Sequence, residues 1–173
     1  IGGTDSDFFN SASGLSGRKG SLLEGGVRVP GIVRWPGKVP AGSESARITG
    51  FEDWLPTLFE LAGLSLEDSK ELDGISFAAT LQGEEQEERP FLYREFIKQQ
   101  AVWSGKWKAI RNHLGKANDP LREKTELYDL EGDPTESQDV AGKYPEELKR
   151  LEGLMRDEHR ASEIFPIAGL DGK

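Results

Sequence analysis

The sequence predicts an α+β fold in which several strands are followed by a closing helix. Three observations predict it: β-rich runs between residues 91 and 130, turn residues between those runs, and an amphipathic stretch that begins at Pro145. Strands grouped along the chain and then a helix are typical of α+β domains. The 173 residues suffice for one domain, or for part of a larger one with a small subdomain, and can bury a core.

The strands are predicted from apolar and aromatic residues bounded by turn formers, at residues 91–96, 101–103, 106–111 and 126–130. Ser104-Gly105 joins the second and third as a hairpin, and Gly132-Asp133-Pro134 stops the fourth. The helix opens with Pro145 and two glutamates, which suit a first turn. Its apolar stripe is predicted to consist of Leu148, Leu151, Leu154 and Met155.

The first 50 residues are predicted to form a loop, a short strand and another loop. Residues 27–35 are apolar and β-branched between glycine turns, which favours a buried strand. Pro30 cannot donate to a ladder, so it is predicted at the edge or the start of that strand.

Two helices are predicted before residue 90. Residues 53–62 have Asp53 as a cap and Gly63 as a stop. The buried face of this helix is predicted to be Trp54, Leu55, Leu58, Leu61 and Ala62. A shorter helix, residues 76–81, has Ser76 as a cap and Gly83 as a stop, and the acidic stretch 83–89 is predicted to be an exposed connection.

Composition excludes several classes of function. A net charge of −9 argues against a general nucleic-acid binder, which needs a basic face. The absence of cysteine excludes disulfides, thiolate metal sites and a cysteine-derived nucleophile. No apolar run approaches the ~20 residues that cross a bilayer. Residues 1–5 lack Met and do not resemble a signal peptide, so we expect that the chain begins inside a longer reading frame.

A glycine-rich basic loop is the strongest local feature. Residues 14–21 contain Arg18 and Lys19 between glycines, and residues 1–50 hold six basic against four acidic side chains. Glycines let backbone N–H groups approach an anion, Lys19 provides a compact charge for a tetrahedral oxyanion, and Arg18 could bind one bidentately. From the residues alone, both a local anion site and a solvated turn remain open.

The motifs of the chain resemble those of formylglycine-dependent sulfatases of the arylsulfatase family. In that family a lysine precedes Glu-Gly-Gly-x-Arg-x-Pro, which matches Lys19 followed by residues 24–30. Further matching segments follow in order: residues 8–11, 53–58, 72–76, 105–109 and 127–134. Several such segments in the same order are far more specific than any one of them.

The resemblance implies that Lys19, five residues before Glu24, contacts the sulfate group of a substrate. A preplaced cation would stabilise the charge that develops on the sulfate oxygens. Arg18 is a second candidate for substrate binding. Glu24 and Arg28 are predicted to support the site by hydrogen bonds that position Lys19.

The chain also departs from the family pattern. The resemblance implies a formylglycine made from Cys or Ser in a C/S-x-P-x-R motif, and a divalent cation, usually calcium, held by Asp and Asn. Neither the motif nor a metal-ligand position is present here, so no catalytic residue and no metal ligand are predicted in this chain. Leu23 stands where many members have Tyr.

Other residues receive structural interpretations. His113 and His159 are interpreted as surface residues, and Trp103 and Trp107 as a pair that packs together rather than a platform for sugar. The acidic residues Asp129, Asp133 and Glu136 are interpreted as parts of a turn rather than as a cation site.

The resemblance implies an alkaline-phosphatase-like α/β fold for the full-length enzyme. Residues 1–85 are then a late segment of the catalytic domain, and residues 90–173 a subdomain with about four antiparallel strands and a packed C-terminal helix. The implied function is sulfuric ester hydrolysis, with the chain alone inactive. Alternatives are a phosphate or phosphonate ester hydrolase of the same superfamily, or a noncatalytic module.

The expected partner of the full-length protein is a sulfated small molecule or carbohydrate. No nucleic acid and no membrane span are expected, and the chain alone could self-associate through exposed edges. The sequence does not reveal the compartment; the family resemblance alone suggests the periplasm or secretion.

Overall fold

The computed structural model describes residues 6–64 and 72–172. Residues 1–5, which do not resemble a signal peptide, lie outside that part. The chain forms two units, one made of Ile1–Val29 with Phe91–Lys173 and the other of Pro30–Pro90. The domain boundaries 1–85 and 90–173 concern the full-length enzyme and remain a prediction.

The first unit contains a sheet and four helices. Its strands are β1 (Leu92–Phe96), β2 (Gln99–Ser104), β3 (Trp107–Arg111) and β4 (Thr125–Asp129). Its helices, among the described residues, are α1 (Ser6–Phe9), α2 (Glu24–Val27), α5 (Pro145–Glu158) and α6 (Ala168–Asp171). The second unit contains a 3₁₀ turn (Phe51–Asp53), α3 (Trp54–Leu61) and α4 (Ala78–Gln82).

The sheet is an antiparallel meander with strand order β1-β2-β3-β4. The predicted hairpin is confirmed, because β2 and β3 pair directly and meet at a turn around Gly105. The prediction of about four antiparallel strands and a packed helix is also confirmed. The strands begin and end within one or two residues of their predicted bounds, since the turn residues between them limit each strand.

One face of the sheet carries the core of this unit. Its members are fully buried side chains from the sheet and α5: Val102, Ala109, Leu127, Leu151 and Met155. Leu148 and Leu154 are half-buried and pack against them, so the predicted stripe of the helix is confirmed. Because side chains alternate along a strand, the paired residues Trp103 and Lys108 point to the opposite face.

The second unit confirms both predicted helices but not their details. Gly63, at φ +68°, follows the end of α3, and Gly83, at φ +79°, ends α4. The hydroxyl of Ser76 accepts the backbone N–H of Ala78 at 3.2 Å, but Ser76 is not the N-cap, because α4 begins at Ala78 and its N-cap is Phe77. Asp53 does not cap α3; its carboxylate accepts the backbone N–H groups of Gly50 and Ile75 instead.

The predicted buried face of α3 is only partly correct. Leu55 and Leu58 are 47% and 55% exposed, and Ala62 is exposed as well. Trp54 and Leu61 are half-buried, so two of the five predicted residues face the interior of the unit.

Two contacts to the segment before α4 fix this helix. The ring of Trp54 packs edge-on against that of Phe77, with 5.0 Å between the ring centroids. Thr57 is buried, and its hydroxyl accepts the backbone N–H of Phe77 at 3.0 Å.

The strand predicted at residues 27–35 is also wrong. Glu24–Val27 form one helical turn, and residues 28–35 form no strand. Ile32 is 91% exposed, so the apolar run is not buried in this chain. Pro30 removes a ladder donor from the middle of the run, and Pro36 follows directly after it, which explains why the apolar pattern alone gave a wrong prediction. Among the described residues, no helix has the length and hydropathy to cross a membrane.

Candidate functional site

Lys19 lies on a tight turn at the surface of the first unit. The backbone N–H of Ser21 donates to the carbonyl of Arg18 at 3.0 Å, which closes a four-residue turn. Gly20 occupies its third position at φ +92°, a conformation that a type II turn requires and that favours glycine. In the described part of the chain, Lys19 and Arg18 are exposed and form no ion pair. Two cations are thus presented to solvent from a conformationally restricted backbone.

Helix α2 packs directly against the backbone of this turn. The N–H of Gly25 donates to the carbonyl of Ser16 at 2.7 Å. A Cβ at Gly26 would lie 2.2 Å from the carbonyl oxygen of Ser21 and 2.6 Å from that of Arg18. The Glu-Gly-Gly motif is therefore required sterically, because a side chain at Gly26 would displace the two residues that flank Lys19 and Gly20.

Beneath the loop, Lys108 of β3 forms a buried ion cluster with two glutamates. Its side chain is fully buried, with Nζ 3.0 Å from Oε1 of Glu24 and 2.6 Å from Oε1 of Glu136. Both carboxylates are almost wholly buried. One ammonium on the central sheet thus joins the loop that carries Lys19 to the segment that follows β4.

Trp103 completes this cluster. Its indole N–H donates to Oε1 of Glu24 at 2.8 Å, and Nζ of Lys108 lies 4.6 Å from the centre of its ring. The backbone N–H of Glu24 donates to Oε2 of Glu136 at 2.7 Å. We call Glu24, Trp103, Lys108 and Glu136 the Lys108 cluster. Each member contacts at least one other through a directional interaction, which fixes the position of Glu24 closely.

The charge of the cluster is unbalanced, because two carboxyl groups face one ammonium. Burial raises the pKa of Glu136 above its ordinary value, and this effect exceeds the opposing attraction of Lys108. Glu136 also has φ +54°, which is uncommon for a residue with a side chain. The surrounding hydrogen bonds hold this residue in a conformation that the segment alone would disfavour.

Two further hydrogen bonds attach the loop to the rest of the unit. The N–H of Leu22 donates to Oε1 of Gln99 in β2 at 2.9 Å, and the hydroxyl of Ser16 donates to the carbonyl of Thr135 at 2.5 Å. The turn is therefore held on both sides, before residue 17 and after residue 21. Lys19 projects from the segment between these attachments.

The predicted supporting residues occupy different environments. Glu24 is buried in the Lys108 cluster, where it binds the side chains of Trp103 and Lys108. Arg28 is exposed; its backbone N–H donates to the carbonyl of Glu24, and its side chain forms no hydrogen bond within residues 6–64 and 72–172. The functional roles assigned to Lys19, Arg18, Glu24 and Arg28 remain predictions.

The tryptophans and histidines require corrections. Trp103 and Trp107 do not pack together, because they lie on opposite faces of the sheet. Trp107 packs against Tyr144 instead, with 4.8 Å between the ring centroids. His159 is not a surface residue: its side chain is 19% exposed and lies between Oε1 of Glu95 and Oδ1 of Asp171. The side chain of His113 is more exposed, at 42%, and its Nδ1 lies 3.9 Å from Oδ2 of Asp119.

The acidic residues after β4 divide into two groups. Asp133 forms a turn as predicted, since its carboxylate accepts the hydroxyls of Thr135 and Ser137 and the N–H of Gln138. Glu136 does not belong to that turn alone, because its side chain is buried against Lys108. The interpretation of Glu136 as a turn residue was therefore wrong.

Three residues of the Lys108 cluster were missed as site residues. Lys108 and Trp103 lie in strands, where polar and aromatic side chains are common and do not by themselves indicate a functional site. Glu136 lies in an acidic loop, where a glutamate is equally ordinary. Glu24 and Lys108 are 84 residues apart, so spacing gives no indication of their contact. The one available signal was a lysine between Trp107 and Ala109, within a predicted strand of the hairpin.

The described residues do not fit a metal ion or the formylglycine nucleophile. Within residues 6–64 and 72–172, no three His, Cys, Asp or Glu side chains come together as a metal site. The sequence contains no cysteine and no C/S-x-P-x-R motif. Any calcium ion or formylglycine of the full-length enzyme must use residues outside this part of the chain.

Comparison with known families identifies the chain. Residues 18–160 match the family model described as N-sulphoglucosamine sulphohydrolase, C-terminal. The match includes Lys19, the whole Lys108 cluster and all of α5. The chain belongs to the sulfatase family. It corresponds to the C-terminal part of such a protein.

Two relatives of this sulfatase chain define how much of a sulfatase it represents. It is 28% identical to the ulvan-active sulfatase of Formosa agariphila over 89% of this chain and 37% of the relative. It is 30% identical to the N-acetylgalactosamine-6-O-sulfatase of Bacteroides thetaiotaomicron over 80% of this chain and 29% of that protein. The chain thus spans roughly a third of the length of these relatives.

A solved structure confirms the fold class of the sulfatase chain. A sulfatase of Bacteroides thetaiotaomicron, described in connection with the metabolism of multiple glycosaminoglycans, superposes with a TM-score of 0.72 at 26% identity. The superposition covers 89% of this chain and 35% of that one. The predicted alkaline-phosphatase-like fold is confirmed, with the present chain as its C-terminal part.

Proposed function

We propose that the chain is the C-terminal part of a sulfuric ester hydrolase in which Lys19 binds the sulfate group of the substrate. One observation carries the proposal: Lys19 is exposed on a turn, five residues before a buried Glu24 that fixes the loop. A solvated turn would not need that fixation. Arg18, next in the chain and equally exposed, is proposed as a secondary contact to the same anion.

The geometry suits the chemistry of sulfate-ester cleavage. When the S–O bond to the leaving alcohol breaks, negative charge develops on the oxygen atoms around sulfur and on the leaving oxygen. An ammonium that is already in place stabilises this charge without reorganising at the moment of reaction. The turn around Gly20 and the hydrogen bonds on both sides of it limit the movement of Lys19 before substrate arrives.

The nucleophile and the metal ion are proposed to lie in the remainder of the full-length protein. There the formylglycine would supply the attacking oxygen, and a calcium ion would neutralise sulfate charge. The chain by itself is accordingly proposed to be inactive.

The proposed substrate class is a sulfated carbohydrate. Two relatives support this choice, since one is named an N-acetylgalactosamine-6-O-sulfatase and the other an ulvan-active sulfatase. An aryl sulfate would serve as a simpler substrate because it carries the same reacting group with a good leaving group.

The function is tested with the full-length protein, produced with its formylglycine and assayed on a matched pair of compounds. We expect that 4-nitrophenyl sulfate is hydrolysed with a much higher kcat/KM than 4-nitrophenyl phosphate. Preference for the phosphate would replace sulfatase activity with phosphate-ester hydrolysis. No hydrolysis of either compound, nor of sulfated N-acetylgalactosamine or ulvan fragments, would contradict the proposal as a whole.

A further inference from the structure

We propose that Lys108, although buried and remote from solvent, is a positioning residue of the sulfate site that acts on Lys19 through Glu24. The inference rests on the proposed function, since it assigns a second residue to the same site. It concerns Lys108 and Glu136, both of which lie outside the sequence motif that contains Lys19 and Glu24. Lys108 does not touch substrate in this proposal.

The first support is connectivity. Lys108 lies in β3, an inner strand of the sheet with a partner on either side. Its ammonium contacts Glu24 at 3.0 Å, and Glu24 is the first residue of α2. Helix α2 in turn packs against the carbonyl groups of Arg18 and Ser21, which close the Lys19 turn. A displacement of Glu24 would therefore be transmitted to Lys19 through direct backbone contacts.

The second support is that Glu24 is fixed at two points rather than one. Its side chain binds Lys108 and Trp103, while its backbone N–H binds Glu136. Glu136 is itself held by Lys108 at 2.6 Å. Removing the ammonium would therefore release both the side-chain contact and the carboxylate that holds the backbone.

The third support is energetic. A buried ion pair commonly stabilises a fold no better than well-packed apolar residues, since desolvation of the charges offsets their attraction. An apolar side chain at position 108 would fill the same space but would not impose a direction on Glu24. A buried cation that receives two carboxylates from separate segments is well suited to fixing their relative position. That positional role is the one expected of a group that supports a preorganised site.

The test compares variants of the full-length enzyme on 4-nitrophenyl sulfate. Lys108→Met removes the ammonium but keeps an unbranched side chain, and Lys106→Met is the matched control on the same hairpin. Lys106 is exposed and binds Asp129, away from the loop. We expect Lys108→Met to lower kcat on the order of 10²-fold with a smaller change in KM. Lys106→Met should leave both within a factor of about two, as expected for an exposed ion pair.

A double-mutant cycle with Lys19 separates positioning from general stability. If Lys108 acts through Lys19, then Lys108→Met should cost little further activity in a protein that already carries Lys19→Ala. An equal loss of activity in both backgrounds would overturn the proposal, because Lys108 would then act independently of Lys19. Failure of Lys19→Ala to reduce activity would instead contradict the proposed function, whatever Lys108→Met does.

A second measurement keeps the proposal testable if Lys108→Met fails to fold. Lys108→Arg retains the charge, so it should keep a large part of the activity. Hydrogen exchange of full-length Glu136→Gln, which removes one carboxylate from the cluster, should be faster within residues 16–26, with the strands β2 and β3 unchanged. Unchanged exchange in residues 16–26 together with wild-type kcat in Glu136→Gln would overturn the positioning role.

Discussion

At Gly26, the addition of a single Cβ atom would change the shape of the Lys19 turn. The space for its Cβ is occupied by the carbonyl oxygens of Ser21 and Arg18, which belong to the turn itself. Backbone atoms cannot move aside as a flexible side chain can. A methyl group at Gly26 must therefore shift the turn or α2.

We predict that Gly26→Ala destabilises the chain by about 1–3 kcal/mol, the range expected for overpacking. It should also lower the activity of the full-length enzyme, because the turn that carries Lys19 is displaced. Gly142→Ala is the control, since no atom lies within 4 Å of the place that a Cβ would take there and its φ is not positive. Urea denaturation measures the first effect; equal midpoints for Gly26→Ala and wild type would contradict the steric account.

Individual site residues differ in how far sequence could reveal them. Lys19 and Glu24 belong to one short motif, so a local pattern was sufficient to select them. Lys108 and Glu136 contribute through contacts between distant segments, and each has an ordinary local setting. Long-range burial of a charged side chain leaves no periodic signal, because charged residues on strands are usually solvated.

At the scale of elements, the turn after β4 determines where Glu136 enters the Lys108 cluster. Burial acts to raise the pKa of Asp133, but hydrogen bonds from the backbone of Ser137 and Gln138, and from the hydroxyls of Thr135 and Ser137, lower it to about 2. The carboxylate form is thus favoured in the folded chain. Its stabilising contribution is complete above the ordinary aspartate pKa and is lost as pH falls towards about 2.

The free energy of unfolding of wild type is expected to fall as the pH is lowered from 4 to 2. We predict that it falls less in Asp133→Asn, because the titrating carboxylate is gone. Urea midpoints at several pH values over that window measure the effect. Asp157→Asn, at an exposed carboxylate near the end of α5, should leave the pH dependence almost unchanged. If Asp133→Asn follows the wild-type curve throughout, the turn does not stabilise the fold through that charge.

The elements of the first unit were more predictable than the apolar run that follows the loop. The hairpin and α5 have local turn or capping residues at both ends, and their apolar faces meet within the same unit. Residues 27–35 combine strand-like composition with a proline inside the run and another directly after it, and the structure leaves them without a partner strand among the described residues. Composition alone could not distinguish the true strands from residues 27–35, since the formation of a strand depends on a neighbouring strand to pair with.

At the scale of the whole chain, α3 and the 3₁₀ turn before it expose an apolar stripe. Phe51, Leu55 and Leu58 recur at helical spacing and are 80%, 47% and 55% exposed. The prediction that Leu55 and Leu58 are buried failed within the chain, although the periodicity is correct for a helix. A contiguous exposed apolar surface of this kind favours association in water.

We predict that the isolated chain self-associates in a concentration-dependent manner, as measured by sedimentation velocity. Leu55→Glu combined with Leu58→Lys should shift the chain towards the monomer, because both changes place charges within the stripe. The same pair of changes at Leu121 and Phe96, which lie in the other unit, is the control. A monomer at all concentrations would contradict the prediction.

The family could be predicted from the order of motifs over the whole chain, and the comparison over residues 18–160 confirms it. The α+β architecture followed from turn chemistry and periodicity in the second half. The attachment of the loop to the sheet could not be predicted, because it depends on a buried cation that joins three separate segments. The sequence therefore selected Lys19 as the proposed anion-binding residue but did not indicate the Lys108 cluster beneath it.

Lys19 is proposed to bind sulfate in the full-length protein, and the turnover of Lys19→Ala on 4-nitrophenyl sulfate tests this role most directly. We predict a loss of about 2–4 kcal/mol in transition-state stabilisation, as for other preorganised charges. Lys149→Ala, at an exposed lysine of α5, should retain wild-type kcat/KM. A Lys19→Ala enzyme with the kcat and KM of wild type would contradict the account.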